Sequence, residues 1–159
     1  MILKKILESR TKIRFHDCDP FNHLHNSRYI DYILTARSDQ LKDHYGLDIY
    51  KLGREQGVGW VTAQTQISYL IPAYLMEEVT IQTRLISFTK KSLLFEGLMW
   101  NHDQTALKVL MWTKLVHYNV VEQSTHMHSA DLLALFEQIA YPLPMETGFE
   151  SRIKEIRTI

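Results

Sequence analysis

The chain has 159 residues, which suits one domain and leaves little room for a second. Hydrophobic residues make up 45% and charged residues 23%, close to the average for globular proteins, so a disordered or collagen-like chain is excluded. Lysine plus arginine number 18 and aspartate plus glutamate number 18, so the zero net charge gives no support to nucleic acid or an anionic membrane as the main partner.

Cysteine usage and the N-terminal segment indicate the compartment. The single cysteine, Cys18, cannot form an internal disulfide, which favours a reducing environment. The first ten residues, MILKKILESR, are interrupted by charges and lack the apolar centre of a signal peptide. No apolar run reaches the length that spans a bilayer. The sequence therefore predicts a cytoplasmic domain without a membrane span.

The first part of the chain predicts a strand followed by a long helix. Thr11–Asp17 alternates apolar and polar side chains, which is typical of a half-buried strand, and Asp19-Pro20 ends it. From Ser27 to Tyr45 the apolar residues recur at helical spacing, and Gly46 follows where such a helix would end. The first half of this helix is apolar on most sides, so we expect it to be buried.

The middle of the chain changes to a period of two after a loop predicted over Gly46–Gly59. Its pattern predicts four strands, of which the last three are joined by hairpin turns: Val61–Tyr69, Val79–Phe88, Leu93–Trp100 and Leu107–Tyr118. The last is apolar on both faces, so we place it inside the sheet.

The end of the chain predicts one more helix, Ala130–Ala140, capped by Ser129. The polar tail 141–159 has a composition compatible with loose order. The element order predicts a single α+β domain over residues 1–159, with its core at about 8–140.

Residues 17–26 hold the densest set of reactive side chains, and they lie just before the amino end of the long helix. The first amides of a helix are unpaired and carry the positive end of its dipole, so they can hold an oxyanion. A carboxylate opposite them can attack a carbonyl or activate water. These groups are the minimum needed to cleave an activated ester or thioester.

This segment resembles the active-site signatures of hotdog-fold thioesterases. Asp17-Cys18-Asp19-Pro20, with Tyr29 downstream, is similar to the corresponding run of the 4-hydroxybenzoyl-CoA thioesterases. Residues 19–29, DPFNHLHNSRY, resemble the D-x-x-G-H-V-N-N-x-x-Y signature of bacterial acyl-CoA and plant acyl-ACP thioesterases. Beyond the motif, the resemblance lies in element order and reaches about Tyr118.

Three departures from these patterns bear on the chemistry. Asn22 stands where the signature has glycine, and asparagine is the next most tolerant residue of a positive φ. His25 replaces the first asparagine of the pair. Phe21 stands where plant enzymes have an asparagine, which argues against a mechanism that depends on that side chain.

The resemblance implies a hotdog fold, in which a curved antiparallel sheet wraps around the long helix and two subunits pair their sheets. By position, Asp19 matches the catalytic carboxylate, which acts as nucleophile or as general base in different members. The Asn26 backbone amide matches the donor to the thioester oxygen, and His23 matches the signature histidine. Lys90-Lys91-Ser92 resembles a basic turn that contacts coenzyme A phosphates.

The implied activity is hydrolysis of an acyl or aryl thioester to a free acid and a thiol. The expected substrate is acyl-CoA or acyl-ACP, and coenzyme A is part of the substrate rather than a cofactor. No metal or redox cofactor is expected, and the active unit is at least a homodimer, with a homotetramer as the alternative. Two other functions stay open: a hotdog protein that binds an acyl thioester without turnover, and a related lyase such as a dehydratase.

Several residues have simpler interpretations. On spacing alone, Asp19 is typical of a turn start, and the family motif is what favours a catalytic role. Asp17 is interpreted as structural or solvent-facing, and Cys18 as pointing away from the site.

A metal site at His16, His23 and His25 has little support from spacing, since no recognised ligand pattern accompanies it. The remaining aromatic and histidine residues are assigned to the core (Tyr29, Tyr32, Tyr69, Phe95) or to a surface loop (His126-Met127-His128).

Overall fold

A six-stranded antiparallel sheet forms the frame of the protein in the computed structural model, which describes residues 2–144 and 147–157. The strands are β1 Ile6–Lys12, β2 Val58–Tyr69, β3 Glu78–Phe88, β4 Ser92–Asn101, β5 Leu107–Asn119 and β6 Ser124–Thr125. Their order is β1-β3-β4-β5-β2, and β6 pairs with β5. The predicted interior position of the last long strand is therefore confirmed.

Four helices accompany the sheet: α1 Tyr29–Tyr45, α2 Ile49–Gln56, α3 Ala130–Ile139 and α4 Phe149–Arg157. The prediction of a long helix ending at Gly46 is confirmed, since that glycine caps α1 with a left-handed φ of 67°. None of the described helices is long and apolar enough to cross a bilayer.

The long helix packs on one face of the sheet. Tyr29 and Ile33 are buried there in one cluster with sheet residues that include Met99 and Met111. A Cβ added at Gly97 would lie 2.4 Å from Ile33 Cγ2, so the helix comes this close to β4 only because residue 97 has no side chain. Only one face of α1 is buried, which is less than the predicted burial on most sides.

The first strand begins and ends earlier than predicted. It is Ile6–Lys12 rather than Thr11–Asp17, and residues 15–17 form a short 3-10 turn in which Phe15 is exposed. The strand lies at the edge of the sheet and pairs with β3 alone, so it needs few apolar residues. Its polar sequence hid it, whereas the alternation at Ile13 and Phe15 imitated a strand.

The loop predicted over Gly46–Gly59 contains α2. Asp48 caps this helix, because its Oδ1 accepts hydrogen bonds from the Tyr50 and Lys51 amides at 3.1 and 3.0 Å. The glycines and charges of this segment favour a loop, which is why the sequence did not predict the helix.

The tail contains α4, so the loose order considered for 141–159 is wrong for residues 149–157. Ile153 and Ile156 are buried against Leu98 and Leu110 on the face of the sheet opposite α1. The core therefore extends beyond residue 140.

A buried charge cluster fixes α4 to the sheet. Glu96 is fully buried and accepts two hydrogen bonds of 2.9 Å from Arg152 and one of 2.9 Å from Trp112 Nε1. Arg84 Nε lies 3.2 Å from the same carboxylate, within ion-pair distance but off the direction of a hydrogen bond. The tail looks polar in sequence because some of its charges are paired inside the protein.

Residues 126–128 are not wholly a surface loop, because His128 is only 4% exposed. Its Nε2 accepts a 3.0 Å hydrogen bond from Trp60 Nε1, and its Nδ1 donates one of 3.0 Å to the Thr89 carbonyl. The ring of His117 lies 4.8 Å away, and its Nδ1 donates to the Gly59 carbonyl at 2.8 Å.

The buried His117 makes folding stability depend on pH. Burial lowers the pKa of His117 from 6.5 to about 4, and the neighbouring His128 and His126 add to the shift. At a pH between these two pKa values, the unfolded chain binds more protons than the folded one. The stability that the neutral ring provides is therefore present above pH 6.5 and is lost as the pH falls towards 4, by about 3 kcal/mol if the shift is fully expressed.

We expect the His117→Gln variant to show a smaller loss of unfolding free energy than the wild type between pH 7 and pH 4.5 in urea titrations. Carboxylates also titrate in this range, so the difference between the two proteins isolates the histidine. Equal losses in both proteins would contradict the assignment.

Candidate active site

Residues 17–25 form a tight hairpin in front of α1. The His25 amide donates to the Asp17 carbonyl at 2.9 Å, and the Asp19 amide donates to the His23 carbonyl at 2.8 Å. Near the tip, Asn22 has a φ of 63°, in the left-handed region that glycine fills in the family signature. The asparagine substitution therefore preserves a turn at this position.

The Asp19 carboxylate is held by the backbone of its own hairpin. Its Oδ1 accepts hydrogen bonds from the amides of Phe21 at 2.9 Å and His23 at 3.0 Å. Within the described part of the chain, no hydrogen bond involves its Oδ2. The residue is half-buried. One carboxylate oxygen is thus fixed, and the other has no hydrogen-bond partner among the described residues.

The hairpin that carries this carboxylate leads directly into the start of α1. Burial raises the pKa of Tyr29, the first residue of α1, and the negative charge of Asp19 adds to that rise. Asn26 is exposed and begins a short 3-10 turn directly before the helix. Its carbonyl accepts a hydrogen bond of 3.1 Å from the Tyr69 hydroxyl, and its amide is one of the helix-start donors that have no acceptor within the helix.

The connection between β2 and β3 holds the hairpin against α1. The Leu24 amide donates to the Ala73 carbonyl at 2.7 Å, and the Ala73 amide donates to the Tyr29 hydroxyl at 3.0 Å. The His23 ring meets Tyr74 edge to face at 5.1 Å. The signature histidine therefore packs against this connection, and its amide binds Asp19.

Asp17 tethers the hairpin to α1 and its carboxylate is mostly buried. It accepts a 2.6 Å hydrogen bond from the Tyr32 hydroxyl and lies 3.7 Å from Arg28 and 3.3 Å from His16. Burial raises the pKa of Tyr32 to about 12, and this hydrogen bond makes the second-largest contribution to the rise. These contacts agree with the structural role predicted for Asp17.

The other reactive side chains of the hairpin have separate surroundings. The Cys18 thiol donates to the Arg14 carbonyl at 3.4 Å, and burial raises its pKa, which is the wrong direction for a nucleophile. His25 Nδ1 accepts a 3.4 Å hydrogen bond from the Ser27 amide. The three histidines of this segment therefore share no contact: His16 lies beside Asp17, His23 packs against Tyr74 and His25 binds Ser27.

An apolar cavity of about 470 Å³ lies between the second half of α1, α2 and strands β2, β4 and β5. Asp19, His23 and Asn26 do not line it. Leu34 on α1 does, about 8 Å along the helix axis from Tyr29. Sequence reasoning missed this cavity because α2, which forms one of its walls, was predicted as loop. Phe95, predicted as core, is buried and also lines the cavity.

The predicted coenzyme A turn lies at the other end of the sheet. Lys90 and Lys91 are exposed in the turn between β3 and β4, and Ser92 Oγ lies 2.6 Å from Thr89 Oγ1. The Asp19 hairpin follows β1, whose last residue pairs with the first residue of β3, so the two sites are about 33 Å apart along β3. One protomer does not bring them together.

Residues 13–146 match the sequence model of a family described as the thioesterase-like superfamily. The chain belongs to the thioesterase-like superfamily. Of the curated relatives of this superfamily member, the long-chain acyl-CoA thioesterase FadM of Escherichia coli K12 is 27% identical over 86 residues. That match covers 54% of this chain and 63% of FadM.

Solved structures of other proteins share the fold. The hypothetical protein TT1821 of Thermus thermophilus is 22% identical with a TM-score of 0.75, and the alignment covers 84% of this chain and 98% of that one. Slr0204 of Synechocystis, a 1,4-dihydroxy-2-naphthoyl-CoA thioesterase, is 9% identical with a TM-score of 0.76. That alignment covers 86% of this chain and 99% of Slr0204. Together with the curled sheet and the long helix, these likenesses confirm the hotdog fold.

Proposed function

We propose that this superfamily member is an acyl-CoA thioesterase, which converts a thioester and water to a carboxylic acid and a thiol. The observation that carries the proposal is the Asp19 carboxylate, fixed through Oδ1 in the hairpin that leads into α1. Membership of the thioesterase-like superfamily supports it.

The proposed chemistry uses two groups. The Asn26 amide donates to the thioester oxygen and stabilises the negative charge that develops there. Asp19 Oδ2 either attacks the carbonyl carbon, forming an anhydride that water then cleaves, or removes a proton from the attacking water. In both routes the thiolate leaves and is protonated. His23 keeps the carboxylate in place through its amide.

The acyl group is proposed to occupy the cavity beside α1. Its volume of about 470 Å³ is within the range of small-molecule sites, and its lining is largely apolar. The likeness to FadM supports an acyl-CoA substrate over an acyl-ACP substrate.

A homodimer that pairs through β2 is proposed as the smallest active unit. In the described chain, β2 lies at the edge of the sheet and pairs with β5 alone. It exposes Val61 and Tyr69. Edge strands with apolar side chains readily pair with another chain. An antiparallel pairing of β2 with its copy would place the Lys90-Lys91 turn at the same end of the joint sheet as the partner's Asp19 hairpin.

We expect the double variant Lys90→Ala, Lys91→Ala to raise the KM for acyl-CoA about tenfold, because two lysine–phosphate contacts are lost. The same acyl group on N-acetylcysteamine has no phosphates and serves as the control, with an unchanged KM. Sedimentation velocity should show a dimer for both proteins. An equal change for both thioesters, or a monomeric active enzyme, would contradict the arrangement.

The activity itself is tested by free-thiol detection with a panel of acyl-CoA, aryl-CoA and acyl-ACP substrates. A binding protein without catalysis would retain acyl-CoA and release no thiol, and a lyase would form a double bond. Turnover that persists in a chelator would support the expectation that no metal is needed. The cytoplasmic location stays a prediction.

A further inference from the structure

Arg37 places a buried positive charge in the wall of the apolar cavity. It lies on α1, two turns after Tyr29, and is 9% exposed. Its guanidinium carbon is 5.5 Å from the centre of the Phe95 ring, and Phe95 lines the same cavity. An apolar pocket for a plain hydrocarbon chain would gain nothing from such a group, because burying a charge is costly.

This guanidinium has no acidic partner among the described residues: no carboxylate oxygen lies within the 4.0 Å that defines an ion pair. Its Nη1 donates to Thr83 Oγ1 at 2.9 Å, and that hydroxyl donates to Gln40 Oε1 at 2.6 Å. The Gln40 amide donates in turn to Ser9 Oγ and the Ile81 carbonyl, so this chain of hydrogen bonds meets no carboxylate among the described residues. The buried Arg84 and Arg152, in contrast, share the carboxylate of Glu96.

Several donors of Arg37 have no hydrogen-bond partner among the described residues. A guanidinium has five N–H donors, and among the described residues this one makes a single hydrogen bond, to Thr83. Arg37 lines the cavity, so a ligand that occupies the cavity can reach these donors. Burial lowers its pKa to about 10, so it stays cationic at neutral pH.

We propose that Arg37 binds a carboxylate at the distal end of the acyl chain, so that the preferred substrates are mono-thioesters of dicarboxylic acids. Resting on the proposed thioesterase function, this inference names the substrate class of that site. Arg37 lies about 12 Å along the α1 axis from Tyr29, so a chain whose thioester is held at the helix start can reach it. A planar guanidinium pairs with both oxygens of a carboxylate, which supplies the missing counter-ion.

The test compares octanoyl-CoA with suberoyl-CoA, whose acyl chains have the same number of carbons and differ in the distal carboxylate. We expect wild-type kcat/KM to be at least about tenfold higher for suberoyl-CoA. The Arg37→Met variant should remove that preference, and Arg37→Lys, which keeps the charge, should retain part of it. Arg54→Met on α2 removes an exposed arginine that does not line the cavity, so its preference should match the wild type.

Wild-type preference for octanoyl-CoA, or a preference for suberoyl-CoA that survives in Arg37→Met, would overturn the assignment. The wild-type comparison requires no variant to fold. Binding of the two non-hydrolysable thioether analogues, measured by calorimetry, separates this inference from the proposed activity. Tighter binding of the carboxylated analogue without any thiol release would support the role of Arg37 and reject the hydrolase. Thiol release with equal binding of both analogues would support the hydrolase and reject the role of Arg37.

Discussion

Replacing Asp19 with asparagine is expected to lower kcat for thioester hydrolysis at least about a hundredfold, because a neutral amide can neither attack the carbonyl nor accept a proton from water. The asparagine side chain keeps an oxygen at the position of Oδ1, so it can still accept the hydrogen bonds from the Phe21 and His23 amides. The hairpin should therefore persist, and the melting temperature should stay close to that of the wild type.

Two further variants separate chemistry from structure at this position. Asp19→Ala loses both the reactive oxygen and the acceptor for the loop amides, so it should reduce stability as well as turnover. Asp31→Asn removes an exposed carboxylate from the first turn of α1, where it pairs with Arg28 at 3.3 Å, and should leave kcat within a few-fold of wild type. Near-normal hydrolysis by the Asp19→Asn variant would reject the carboxylate mechanism.

Replacing Glu96 with glutamine is expected to reduce the free energy of unfolding by about 3–5 kcal/mol, because the buried Arg84 then loses its counter-ion and the buried Arg152 keeps only the half-exposed Glu155. Urea unfolding monitored by tryptophan fluorescence measures this loss. Trp112, which donates to Glu96, serves as a local probe.

Glu155→Gln is the matched control, since Glu155 lies 3.4 Å from Arg152 and is half-exposed. Its loss should be below about 1 kcal/mol, as for other ion pairs near the surface. Similar losses for Glu96→Gln and Glu155→Gln would show that the buried cluster does not fix α4 to the sheet.

The parts of the fold that the sequence predicted are those with a local signal. The period-two pattern located β2 to β5 within a few residues, and Gly46 marked the end of α1. The motif at residues 19–29 placed a carboxylate and a signature histidine before that helix, and the hydrogen bond from the His23 amide to Asp19 joins them.

The parts that it missed depend on contacts between distant residues. Arg152 appears polar in the chain, yet it is buried because Glu96, 56 positions away, neutralises it. His128 was assigned to the surface, yet Trp60 gives it a buried partner. The cavity could not be predicted because its walls come from separate elements, and nothing in the local sequence of Arg37 shows that its charge lacks a carboxylate.

The β2–β3 connection has a consequence for how this site can be moved or rebuilt. Ala73 binds both the Asp19 hairpin and the Tyr29 phenol, so the shape of the hairpin depends on contacts with a segment that is distant in sequence, 44 positions away in the case of Tyr29 and Ala73. A short peptide with the signature would not adopt this geometry by itself. Transfer of the hairpin to another scaffold would require the tyrosine and the segment around Ala73 to be transferred with it.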